Sequence, residues 1–95
     1  MTVEDPLSAL RLRYRVQLND HRDVLAAFQA GAPGARATLH HVLHAIAGSA
    51  GIFGHAALGT LAADADEAVR RDGVASPGLV AAILLEIGKV LDQTG

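Results

Sequence analysis

The chain has 95 residues, of which 51% are hydrophobic and 3% aromatic, with a formal net charge of −2 and no cysteine. That length predicts a single domain over residues 1–95 with a modest core, too short for a cleft between two lobes, and the apolar fraction is far above that of a disordered chain. The charge argues against a nucleic-acid partner, which needs a basic footprint, and the missing cysteine excludes disulfides, thiolate metal sites and a cysteine nucleophile.

The stretch Met1–Pro6 has neither the basic nor the apolar region of a secretory signal. No apolar run approaches the ~18 residues that span a bilayer, so a cytoplasmic protein away from membranes is expected. Alanine, leucine and valine carry much of the apolar content, which suits closely spaced helices better than sheets. A first helix is predicted after Asp5, with Pro6 in its first turn, where the missing N–H costs nothing. Leu7, Leu10, Tyr14, Leu18, Leu25 and Phe28 recur at helical spacing and predict one buried stripe. Gly31-Ala-Pro-Gly34 ends it. Four of the eight basic residues, Arg11, Arg13, Arg15 and Arg22, crowd this helix. Arg11 and Arg15 share a face, and a solvated surface is the expected use, with steering of a partner second.

A second helix is predicted from Ala35 to about Phe53, with Leu39, Val42, Leu43, Ile46 and Ala50 inward and Gly54 as its stop. A third carries Leu58, Leu61, Ala65 and Val69 inward until Asp72-Gly73. In the turn that follows, Ser76 before Pro77 reads as an N-cap with proline at the first helical position. The fourth helix carries Val80, Ile83, Leu84, Ile87 and Leu91. Four amphipathic helices with short connections predict an all-α, antiparallel up-down four-helix bundle.

The segment His44-Ala-Ile-Ala-Gly-Ser-Ala-Gly-Ile-Phe-Gly54 carries the chemistry. At about 100° per residue, Gly48 lies about 40° and Gly51 about 20° from His44 around the axis, whereas Val42, Ile46 and Phe53 lie roughly 160–180° away. The histidine thus stands on a face cleared of side chains, as a residue that must meet a bulky partner requires. No carboxylate occurs between Asp23 and Asp64, so the surface around His44 is expected to be neutral to mildly positive and suited to an acidic docking partner. Ser49 points about 140° away and is expected to bond back to a helix carbonyl.

The string His44-x-Ile46-x-Gly48-Ser49-Ala50-x-x-x-Gly54, followed by Leu58, resembles the signature of histidine-containing phosphotransfer (HPt) domains. The family's pattern is H-x-L-K-G-S-A-x-x-x-G on the second long helix of a four-helix bundle. The resemblance implies that His44 accepts a phosphoryl group from an aspartyl phosphate on a response-regulator receiver domain and passes it to or from another receiver. A hybrid sensor kinase is a further implied partner. The chain would be a phosphocarrier, expected as a monomer, with no cofactor or metal of its own; Mg²⁺ would sit on the receiver. No ATP-binding motif is visible in it. The family commonly has lysine where this chain has Ala47. The offsets at which the family places a polar residue bonding the histidine ring, and a basic residue one turn later, fall on Asp66 and Arg70. These imply compensation for Ala47, against the plainer reading of a solvated i,i+4 pair.

Among the other histidines, His40 lies one turn before His44 and is either a tuning or partner-contacting residue or an incidental one. His41 is expected half-exposed, His55 in the turn after the second helix, and His21 on the buried stripe of the first. Two rival readings remain. His40 and His44 have the spacing of a helical metal pair, with His55 as a candidate third ligand in that reading, although residues 24–63 contain no acid to support one. A helical docking or dimerisation module without phosphotransfer would use the small-residue face for close helix packing.

Overall fold

The computed structural model describes residues 6–31 and 35–93. The stretch before Pro6 and residues 32–34 of the first connection lie outside the described residues. Four helices follow in order: α1 (Pro6–Gln29), α2 (Ala35–Ala50), α3 (Ala56–Asp72) and α4 (Pro77–Asp92). No strand occurs among the described residues. Each helix packs on two others, α1 on α2 and α4, and α3 on α2 and α4, so the bundle closes as a square.

Side-chain contacts give the helix directions. Gly59, early in α3, faces Ala50 at the end of α2, while Asp66, further along α3, faces His44 and His40 further back along α2. These two helices are therefore antiparallel. On the opposite side, Arg15 of α1 reaches the end of α4, and Gln29 Nε2 donates to the Pro77 carbonyl at its start, 3.0 Å away. That pair is antiparallel too, as the short connections predict.

The apolar spacing built the expected core. Leu18, Leu25, Leu39, Leu43, Ile46, Leu58, Val80, Ile83 and Ile87 are all fully buried. Burying each such side chain stabilises the fold by about 1.5–3 kcal/mol before the entropy of ordering is subtracted. Ser76 caps α4 as predicted, its Oγ accepting from the Leu79 N–H at 3.2 Å, with Pro77 in the first turn.

Four expectations need correction. Leu7 and Leu10 are 54% and 48% exposed rather than buried. The reason is length: Arg15 already sits level with the last carbonyls of α4, so the turns of α1 before Tyr14 run beyond the end of that helix. Arg15 is not a solvated cation. Half-buried, it donates to the carbonyls of Val90, Leu91 and Gln93, closing the C-terminal end of α4. On the third helix, Leu61 and Val69 are only half-buried; the inward stripe includes Gly59, Ala62 and Asp66 instead. Helix α2 ends at Ala50, short of Phe53. Residues 51–54 form one tighter turn that finishes it: the Gly54 N–H bonds the Gly51 carbonyl at 3.2 Å, the His55 N–H bonds the Ala50 carbonyl at 2.8 Å, and Gly54, at φ +83°, is the left-handed stop expected of it.

Candidate functional site

The site lies where α2 and α3 pack against each other. Small residues let them approach: a Cβ built on Gly59 would stand 3.5 Å from Ala50 Cβ and 3.8 Å from the Ala47 carbonyl oxygen. Ala50, Ala62 and Ala65 are fully buried in the same core. One and two turns beyond Ala62 on α3, this close packing brings Asp66 and Arg70 alongside α2.

His44 projects from the middle of α2 with its side chain 78% exposed. Gly48, one turn on, is exposed and has open space where a side chain would stand. Gly51 is likewise open, but it belongs to the turn after α2 rather than to the helical face the wheel assigned it. The clearance is present; its second member comes from where the helix stops. Ser49 Oγ donates to the Ala45 carbonyl at 2.8 Å, as expected for a packing residue. Ala47 is half-buried against the core.

Asp66 is buried and joins the cluster. Its Oδ2 lies 3.6 Å from His44 Nδ1 and 3.9 Å from Arg70 Nε, and its Oδ1 lies 2.5 Å from His40 Nδ1. The carboxylate's close hydrogen bond is thus to His40, not to His44. His40 is a full member of the cluster, its ring centroid 6.0 Å from that of His44. α3 supplies a carboxylate that α2 lacks, but it is buried, and Arg70 beside it balances its charge. Arg70 is mostly exposed, so its guanidinium reaches solvent beside the histidine ring.

The remaining histidines lie elsewhere. His55 precedes α3, and its Nδ1 shares a hydrogen bond with Tyr14 Oη at 3.0 Å. Tyr14 stacks on Phe53 at 4.2 Å between ring centroids, an arrangement that hydrophobic spacing alone did not foretell. His41 is exposed rather than half-exposed. His21 is half-buried, and its pKa is lowered by burial, with His41 lowering it further and Asp20 opposing. Among the described residues, no group of three His, Cys, Asp or Glu side chains is arranged to hold a metal ion. A cavity of about 330 Å³ beside the end of α4 is lined by Arg11, Tyr14, Arg15, Phe53, His55 and Gln93, and includes none of the His40–His44–Asp66 cluster.

Fold and site together define a helical bundle that presents His44 on an open face, with His40 beside it and both meeting a carboxylate from the neighbouring helix. The family model of the Hpt domain matches residues 9–93, nearly the whole chain, and the protein belongs to that family. Hpt domains serve phosphotransfer in two-component phosphorelays and work with receiver domains, as carriers without kinase activity of their own. No curated protein and no solved structure matches the chain. No helix among the described residues is long and apolar enough to cross a membrane.

Proposed function

We infer that His44 is the phosphoryl acceptor of this Hpt domain, taking the group from a receiver aspartyl phosphate and passing it to or from another receiver. The observation that carries this reading is the 78% exposed His44 ring beside an open Gly48, with the Asp66 carboxylate 3.6 Å behind Nδ1. The carboxylate favours a proton on Nδ1 and leaves Nε2 with the free lone pair. The neutral imidazole, with one nitrogen protonated and the other carrying a lone pair, is the nucleophilic form of the ring.

Transfer forms the Nε2–P bond as the donor's P–O bond breaks, and that electron pair leaves with the donor carboxylate. The Nδ1 proton stays in place. Positive charge then develops on the ring, where the buried Asp66 carboxylate offsets it. Arg70 stands where its guanidinium can meet the phosphoryl oxygens, the part that a lysine in place of Ala47 would otherwise take. Gly48 and Gly51 leave room for the loops of the receiver. The receiver brings the Mg²⁺, so this chain supplies positioning and no cofactor. In this reading residues 1–95 work as a monomeric single domain in the cytoplasm, with receivers and a hybrid sensor kinase as partners.

Incubation with a phosphorylated receiver tests it. Acid-labile, base-stable phosphate is expected on the wild-type protein and not on His44→Gln. Equal labelling of both proteins would overturn the assignment.

A further inference from the structure

Asp66 divides its two oxygens between two histidines of the same helix. Oδ1 meets His40 Nδ1 at 2.5 Å, and Oδ2 faces His44 Nδ1 at 3.6 Å. A carboxylate only accepts, so the His40 nitrogen that meets it carries a proton. The terminal torsion of an aspartate is broad and roughly two-fold when nothing holds it. Here the His40 N–H holds one oxygen, and the other is left directed at His44 and Arg70.

The two contacts differ in kind. At 3.6 Å the His44 contact exceeds hydrogen-bond range, so Asp66 acts on that ring through its field. Such a field biases the tautomer without clamping a ring that must reach a partner. The contact to His40 is a hydrogen bond, and it does the holding. Ring nitrogens that react or ligate are commonly set by a hydrogen-bonding partner of this sort standing one residue away.

We propose that His40 is a positioning residue for His44: acting through Asp66, it fixes the carboxylate that selects the Nδ1–H tautomer of the reacting ring. His40 itself touches no reacting atom. The role rests on His44 being the phosphoryl acceptor, and the first measurement below is independent of that reading.

Ring-nitrogen NMR of the unphosphorylated protein at a pH of about 8, above the ordinary histidine value, reads the His44 tautomer directly. The Nδ1–H form is expected to dominate in the wild-type protein. His40→Leu should shift His44 toward the mixture of an unconstrained imidazole. His40→Asn should keep the wild-type signature, because its amide nitrogen donates from nearly the same position as Nδ1 but carries no charge. Circular dichroism controls for folding. Phosphoryl uptake from a receiver should be about ten-fold slower in His40→Leu, short of the ~100-fold that a 1 Å misplacement of reacting groups costs, and near wild type in His40→Asn. An unchanged His44 tautomer in His40→Leu, or an asparagine variant that behaves like leucine, would overturn the role. If the tautomer responds to His40 while the wild-type protein takes no phosphate on His44, the acceptor assignment alone falls.

Discussion

Gly48→Gln separates stability from transfer. Glycine inside a helix costs about 0.8–1.0 kcal/mol relative to alanine, and glutamine lies close to alanine on that scale. Nothing stands within 4 Å of a Cβ added at Gly48, and the residue is exposed, so the new side chain meets no packing penalty. Its place two residues before the end of α2 argues for the lower part of the range. A gain of about 0.5–1 kcal/mol follows, or roughly 2–8 °C in Tm for a domain of this size. The same side chain projects one turn from His44, into the space that the proposed receiver docking requires. Phosphoryl uptake should fall by about 100-fold or more, the cost of displacing reacting groups by an ångström. Thermal denaturation and a timed transfer assay on the same preparation read both quantities. A Gln variant that is more stable and still accepts phosphate at the wild-type rate would refute the clearance argument. Loss of stability would refute the structural half.

Ala47→Lys should preserve or improve transfer, since the half-buried site lets the stem lie along apolar surface with the ammonium in water near His44; timed phosphorylation checks it. Arg15→Met keeps the stem but removes three donors to the last carbonyls of α4, and should cost about 1–2 kcal/mol in urea denaturation while His44 chemistry is unchanged. The burial-lowered pKa of His21 makes the folded state resist its protonation. Its contribution to stability is present above the ordinary value of 6.5 and is lost as the pH falls from there through the lower folded value. His21→Gln should therefore flatten the fall in Tm between neutral and mildly acidic pH, an outcome that melting curves across that range decide.

The bundle was legible because its core obeys one rule. Leu18, Leu25, Leu39, Leu43, Ile83 and Ile87 recur at helical spacing, and burial followed the spacing. The Ser76–Pro77 start of α4 was legible for a local reason, as capping needs only the residues that make it. The end of α2 was legible in part: Gly54 was readable as the left-handed stop, but Ile52 and Phe53 continue the apolar pattern past Ala50, so spacing does not show that the regular helix already gives way to a tighter turn there. Leu7 and Leu10 fit the stripe perfectly well, yet periodicity is blind to where a neighbouring helix ends. At the site, His44 and its cleared face could be read from offsets within one helix. Asp66 was accessible only through family resemblance, because it arrives from another helix. That its close bond goes to His40 depends on the register between α2 and α3, which neither helix carries alone. Arg15 was misplaced for the same reason, since its partners lie at the far end of the chain.

Gly59 has a consequence for how such a site can drift in evolution. The histidine and its carboxylate sit on separate helices, so their spacing is a property of the seam between those helices and of no residue in the cluster itself. Alanine at Gly59 would meet Ala50 at an ordinary contact distance and leave the seam intact. A larger residue would wedge it open, and widening the 3.6 Å gap by an ångström would weaken the pull of the carboxylate on the ring by about a fifth. If His44 is the acceptor proposed above, the seam would act as a spacer whose thickness sets the pull of the carboxylate on its ring in small steps, through substitutions that never touch a charged group.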